Sequence, residues 1–327
     1  MYSIAELQEI IENEINVRSG QLKAMNPENL YLPVDYSLGM GGKRLRPVLL
    51  LLSYNLLQDD VTQALPAALA IEFFHNFTLL HDDIMDKADM RRNQPTVHKR
   101  FNENGAILSG DAMAFLSYRF LLECKTGKLL ETIELFTKTA IEVCEGQQFD
   151  MDFENRHNVL EEEYLKMIRL KTAVLLACSL KAGALLGNAP KEVADLLYLF
   201  GINLGLAFQL QDDLLDTFGN QETFGKRIGG DILANKKTFL LIKALETANG
   251  SSKVELFNWL EKREYRREDK IEGVIQIYNQ LKIKEIVEEK IDYYFQEAMR
   301  TYHKLPIKEI KKEVLLSLSN NMLKREK

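Results

Sequence analysis

An all-α fold is what this chain predicts, on two observations: helix breakers are scarce, and apolar residues recur every three to four positions along most of its length. Only 7 prolines and 18 glycines punctuate 327 residues, and Lys191 to Leu215 contains no proline at all, which favours helices over many short strands. A hydrophobic content of 46% is enough to bury a large core. The length lies between one large domain and two ordinary ones, and residues 1–327 are expected to form a single domain.

Taken in order, Ser3 and Glu6 read as a capping box that opens a first helix reaching about Leu22, before the region of Pro27 and Pro33. A glycine-rich turn, Gly39-Met-Gly-Gly-Lys-Arg-Leu-Arg-Pro47, leads into an apolar helix from Val48 to Leu57. A longer helix begins near Pro66 and reaches Asp86, and the polar stretch Lys87 to Thr96 reads as a loop. Helical patterns then cover Ala106–Cys124, Leu129–Glu154, Glu161–Leu186 and Lys191–Phe218. A second loop, Gly219 to Gly230, precedes helices over Ile232–Ala248, Val254–Lys262, Arg267–Leu281, Ile286–Tyr302 and Ile307–Leu323. No repeat of 20 to 50 residues suggests a solenoid.

Composition narrows the function. Cys124, Cys144 and Cys178 are far apart and form no CxxC, so neither a zinc cluster nor a disulfide framework is expected, and a reducing cytoplasm fits. The acidic, amphipathic amino terminus is unlike a signal peptide. Charged residues or Asn, Gln and His break each apolar run before about 18 residues, so no membrane span is expected. A formal charge of -6 argues against nucleic acid as the main partner. It leaves room for anions bound through metal ions on carboxylates.

Two aspartate motifs carry the chemistry. In Leu79-Leu80-His81-Asp82-Asp83-Ile84-Met85-Asp86, Asp82 and Asp86 are i, i+4 on one helix face. They repel one another at a helix C-terminus, where the macrodipole disfavours anions, so a cation is needed to compensate. The alternative is a solvated acidic cap. Gln211-Asp212-Asp213-Leu214-Leu215-Asp216 repeats the DDxxD spacing at the end of a second apolar helix, and two such arrangements suggest carboxylate clusters around shared hard cations. Magnesium suits them, because it takes a few carboxylates and completes its octahedron with water and phosphate oxygens. Phosphate needs cations nearby: Arg91 and Arg92 follow the first motif, Lys226, Lys236 and Lys237 follow the second, and Gly41-Gly42-Lys43-Arg44-Leu45-Arg46 adds a basic turn. Any one of these alone is more often a solvated face.

With GGKRLRP, LLHDDIMDKADMRR, GDAMAF (Gly110 to Phe115), KTAVLL (Lys171 to Leu176), FQLQDDLLDTFG and GKRIGGDILANKKT (Gly225 to Thr238), the chain resembles the trans-isoprenyl diphosphate synthases. These are the farnesyl, geranylgeranyl and polyprenyl diphosphate synthases. The resemblance implies a helical bundle around a deep central cavity, usually in a homodimer, and three magnesium ions held by Asp82, Asp86 and Asp212. It places Arg91, Lys171, Lys226 and Lys236 on an allylic diphosphate (dimethylallyl, geranyl or farnesyl), and Lys43, Arg46, His75 and Arg92 on isopentenyl diphosphate. Thr172 and Gln209, with Lys171, would face the reacting carbons. Lys237 beside Lys236 departs from many relatives and leaves open which lysine meets phosphate. Phe77, five positions before the first motif, would limit chain growth beside Thr78, implying a farnesyl- or geranylgeranyl-length product.

Three other readings compete with this one. Glu72-Phe-Phe-His75 and Glu154-Asn-Arg-His157 share the ExxH pattern of di-iron bundles, but Glu154 lies in a polar run. A non-catalytic subunit would have lost a motif residue, and none is missing. An isoprenoid cyclase usually lacks the second DDxxD and the GGKR turn. Phe73, Phe74 and Met113 are expected in a core or cavity wall, Trp259 against a late helix, and Cys178 in the interior. The basic end, Lys324 to Lys327, is expected to be solvated or to close over the diphosphates.

Overall fold

The computed structural model describes residues 1–156, 158–219 and 228–323. Its described residues are overwhelmingly helical, as expected, and they gather into two compact units. Met1–Ala140, Leu175–Tyr198 and Lys304–Leu318 form the first; Ile141–Val174, Leu199–His303 and Ser319–Lys327 form the second.

The first unit begins with α1 (Ile4–Lys23), opened by the expected capping box: Ser3 Oγ accepts from the Glu6 amide while the Ser3 amide donates to Glu6 Oε2 at 2.7 Å. A helix that the sequence reading missed follows, α2 (Glu28–Gly39). Pro27 stands at its N-cap, where no amide is needed, and Pro33 sits inside it; burial of Pro33, Val34 and Leu38 offsets the missing hydrogen bond. Next come α3 (Leu45–Asn55) and α4 (Leu65–Met85). Between α4 and a single turn, α5 (Val97–Arg100), the expected loop carries two short paired strands, β1 (Met90–Arg91) and β2 (Gln94–Pro95). Helix α6 (Glu103–Leu121) packs along α4.

α4 is buried on nearly all sides, with Leu69, Ala70 and Phe73 fully enclosed, so it is the axis of this unit rather than an amphipathic surface helix. Two acidic side chains are buried with it, Glu72 and Asp83. Each has an arginine, without which a buried carboxylate would cost several kcal/mol.

α7 (Leu129–Glu154) and α10 (Lys191–Phe218) have the bounds expected from their periodicity. The expected helix Glu161–Leu186 is interrupted. α8 (Glu161–Ile168) passes through a widened π turn, Arg169–Ala173, into α9 (Val174–Leu186). Ile232–Ala248 likewise divides into a single turn, α11 (Gly230–Leu233), and α12 (Phe239–Thr247). Asn235 in the left-handed region (φ 52°) breaks the path, and the Thr238 hydroxyl caps α12. The chain continues through α13 (Gly250–Glu261), α14 (Arg267–Gln280), α15 (Ile283–His303) and α16 (Glu309–Leu323). Trp259 packs on Gly273 of α14, and Cys178, Phe73 and Met113 are buried, as expected.

By length and composition α10 could cross a membrane, since its Asn and Gln residues leave a mean hydropathy of 1.6 in its most apolar window. In the fold 61% of that window is buried, the profile of a core helix.

Candidate active site

In the first unit, α4 delivers Asp82, Asp83 and Asp86 at its C-terminal end, with Asp86 as the C-cap residue. The three differ in environment: Asp82 is half-buried, Asp83 buried and Asp86 exposed. The short β1–β2 hairpin brings Arg91 back onto the helix end, where Nε and Nη2 form a fork on Asp83 at 2.7 and 2.8 Å. Nη2 also reaches Asp82 at 3.9 Å. Burial raises the Asp83 carboxyl pKa, opposed by the Arg91 fork.

The basic turn sits close by. Gly42 adopts φ 140°, and a Cβ there would lie 2.7 Å from the Arg92 guanidinium. Only glycine lets the turn carrying Lys43 lie against Arg92. Arg44 takes a left-handed conformation (φ 46°) that sends its side chain inward, to Glu72 at 2.7 Å, Glu12 at 2.7 Å and the Leu38 carbonyl. Lys43 stays exposed, and Arg46 Nη1 lies 3.0 Å from His75 Nε2. Burial, then Arg46, Arg92 and Arg91, hold the His75 pKa well below its ordinary value, so the ring is neutral at pH 7. Burial, then Arg44 and Arg91, lower the Arg92 pKa as well. So many cations around a neutral imidazole make a surface that favours an anion.

Beneath the aspartates runs an aromatic column. Phe77 packs edge-on to His81, with centroids 4.8 Å apart, and against Phe74 at 5.4 Å; Phe74 in turn meets Phe136 at 5.2 Å. Thr78 Oγ1 donates to the His75 carbonyl at 2.8 Å.

In the second unit, the π turn presents Lys171 and Thr172. A Cβ on Gly146 of α7 would collide with the Lys171 backbone, and one on Gly205 of α10 would lie 2.6 Å from Ala173 Cα. Two glycines thus let neighbouring helices close on the widened turn, a deformation often found at functional positions. Lys171 Nζ donates to Asp150 Oδ2 at 2.6 Å, and Lys236 Nζ approaches the same oxygen at 3.6 Å. Lys237 instead donates to the Asn235 carbonyl at 3.2 Å. The Thr172 hydroxyl donates to Gln209 Oε1 at 2.8 Å, the Gln209 amide donates to Asp213 Oδ1 at 2.9 Å, and the Tyr164 hydroxyl donates to Asp213. Asp216 accepts from the Asp231 amide at 2.9 Å. Burial, then Asp213, Asp216 and Asp212, hold the Asp231 carboxyl above its usual range against the pull of Lys236.

The structure therefore gathers Arg46, His75 and Arg92 in one place, and Lys171, Thr172, Gln209 and Lys236 in another. Lys226 lies outside the described residues, as do His157 and Lys324 to Lys327. Asp150 and Tyr164 were missed by sequence reasoning, and Asp83 and Arg44, named within their motifs, were given no separate role. Asp150 did leave a trace: it stands four residues after Gly146, so one face of α7 carries both the gap for Lys171's backbone and the acceptor for its ammonium. The di-iron pattern gains nothing here, because Glu72 is engaged by Arg44 and Asn76 and His75 faces Arg46.

Helices ending in aspartate-rich motifs, with basic clusters beside them, define a protein of the all-α isoprenoid synthase type. A family profile described as polyprenyl synthetase matches residues 27–278, and the chain belongs to that family. It is 44% identical to a geranylgeranyl diphosphate synthase of Methanosarcina mazei over 69% of this chain and 70% of that one. It is 41% identical to a short chain isoprenyl diphosphate synthase of Methanocaldococcus jannaschii over 76% of each. A crystal structure of a geranylgeranyl pyrophosphate synthase superposes with a TM-score of 0.94 at 42% identity, covering 100% of both chains. A polyprenyl synthase of Caulobacter crescentus, complexed with calcium and isoprenyl diphosphate, gives 0.88 at 25% identity, covering 99% of this chain and 97% of that one.

Proposed function

We propose that the protein condenses isopentenyl diphosphate with an allylic diphosphate (dimethylallyl, geranyl or farnesyl), giving a trans-prenyl diphosphate of farnesyl or geranylgeranyl length. The observation that carries this reading is the meeting of Lys171 and Lys236 at one carboxylate, beside the Thr172–Gln209 oxygen pair. Two ammonium groups that meet at Asp150 can turn to a diphosphate when one arrives. The adjoining oxygens offer dipoles, not nucleophiles, to a developing cation.

Loss of diphosphate from the allylic substrate breaks its C–O bond and leaves an allylic cation. Thr172 and Gln209 stabilise that cation electrostatically. The double bond of isopentenyl diphosphate, held by Lys43, Arg46, His75 and Arg92, attacks it to form the new C–C bond. The intermediate then loses a proton to the departed diphosphate. Arg91, Lys171, Lys226 and Lys236 hold that leaving group. His75, kept neutral, adds a polar contact without adding repulsion to the arginines.

Asp82, Asp86 and Asp212 are the residues that would hold magnesium, three ions in all, and the metal would supply charge to the leaving diphosphate. The donor set fits. Asp82 and Asp86 stand four residues apart at the end of α4, and magnesium takes few protein carboxylates and many water or phosphate oxygens. Burial first, then Asp213, Asp216 and Asp212, raise the Asp231 carboxyl, and a cation would relieve that crowding of carboxylates. The Caulobacter relative's calcium supports a divalent requirement.

The two units together make one polyprenyl synthetase domain in this reading. A homodimer is supported by α6 and its C-cap, where Leu108, Phe115 and Leu122 recur every seven residues and are 60%, 76% and 64% exposed. A cytoplasmic location fits three cysteines joined by no disulfide. Incorporation of labelled isopentenyl diphosphate into an apolar product, dependent on an allylic primer, tests the reading; no incorporation with any primer would refute it.

A further inference from the structure

Lys270 of α14 is 1% exposed, and among the described residues no carboxylate pairs with it. A buried ammonium without a counter-ion is costly unless oxygens and ring faces surround it. Lys270 has such surroundings: Nζ donates to Asn235 Oδ1 at 2.8 Å, lies 3.5 Å from the Leu233 carbonyl, and sits 4.5 Å from the Tyr265 ring centroid. Tyr265 itself directs its hydroxyl to the same Leu233 carbonyl at 3.5 Å.

All of these contacts converge on the connection between α11 and α12. Asn235 there holds the left-handed kink, and its side-chain amide donates to the Leu260 carbonyl at 3.0 Å. Lys236 is the very next residue; its amide donates to the Asp231 carbonyl at 2.9 Å and its ammonium points toward Asp150. A kink of this kind costs energy for any residue with a Cβ and persists only where its surroundings hold it. Asn235 is pinned on one side by Lys270 and on the other by Leu260.

We propose that Lys270 is a positioning residue for the prenyl transfer: by clamping Asn235 and Leu233 it aims Lys236 at the allylic diphosphate. This rests on the reading of Lys236 given above. Lys270 touches no substrate; it acts through the backbone of the connection. An apolar side chain would fill the same space but would leave Asn235 Oδ1 without its donor and the kink held from one side.

Two variants test it. Lys270→Met keeps the aliphatic stem and removes the ammonium; Asn235→Gly keeps the left-handed backbone and removes the acceptor. For each, initial rates are measured against allylic diphosphate and against isopentenyl diphosphate, with thermal unfolding followed in parallel. The expected result is a rise of about tenfold in the Michaelis constant for the allylic substrate, the scale of one misaligned charge-assisted hydrogen bond. The constant for isopentenyl diphosphate stays near that of the parent, and the double variant is little worse than either single one. A lower melting temperature with both constants unchanged, or an equal rise in both, would overturn the proposal. If Lys270→Met fails to fold, Asn235→Gly decides alone. A parent protein that condenses nothing would overturn the functional reading and this inference with it.

Discussion

At the scale of single residues, the three carboxylates that end α4 have separate tasks. Asp83 is buried and held by the Arg91 fork, so its charge is already compensated, whereas Asp82 and Asp86 share the face proposed for magnesium. Asp82→Ala and Asp212→Ala should each lower turnover by orders of magnitude without unfolding the protein, because each removes a ligand needed by transition-state charge. Near-normal turnover with either would sink the metal assignment. His75 makes a different prediction, one of stability. Its pKa is depressed in the fold, so the unfolded chain binds the proton more tightly. The stability it contributes is complete above its unfolded pKa of about 6.5 and is lost as pH falls below that. His75→Asn should therefore shrink the drop in melting temperature between pH 7.5 and pH 5.5. An unchanged drop would show that the ring is not held neutral.

At the scale of elements, the widened turn between α8 and α9 depends on α7 and α10 carrying glycine where they cross it. Gly146→Ala should destabilise the protein by about 1 to 3 kcal/mol, a typical cost of overpacking, and lower activity further by displacing Lys171 and Thr172. An alanine variant with parental melting temperature and rate would show that the crossing has slack. Phe77 and Thr78 belong to the same scale. Phe77 is the ring that continues the aromatic column below His81, so Phe77→Ala should lengthen the products and Thr78→Phe shorten them, as read by mass spectrometry. An unchanged distribution in Phe77→Ala would place the stop elsewhere, at Phe74 or Met113.

Periodicity alone located α7 and α10 to the residue, because each has a long apolar pattern bounded by clear breakers. It failed where local chemistry overrides pattern. Pro27 and Pro33 read as breakers, yet they begin and occupy α2; Asn235 and Thr238 read as helix interior, yet they are a left-handed stop and a cap. Both aspartate motifs and the basic turns were legible because their spacing is unusual for mere structure. Tyr164 was not, since a lone tyrosine on a short helix gives no sign of what folds against it, and Asp150 left only its spacing from Gly146.

For the whole molecule, assembly and metal dependence are the open consequences. Phe115→Glu should convert a dimer to a monomer in sedimentation, because it puts charge at the middle of the α6 apolar row; an unchanged sedimentation coefficient would remove α6 from the interface. Chelation by EDTA should abolish activity and added magnesium restore it, whereas chelator-insensitive turnover would point to a metal-free mechanism. The most direct test of the account is to incubate the protein with magnesium, isopentenyl diphosphate and, in turn, dimethylallyl, geranyl or farnesyl diphosphate, and to weigh the products. The account predicts all-trans diphosphates ending at fifteen to twenty carbons. Recovery of unchanged substrates with every primer would contradict it.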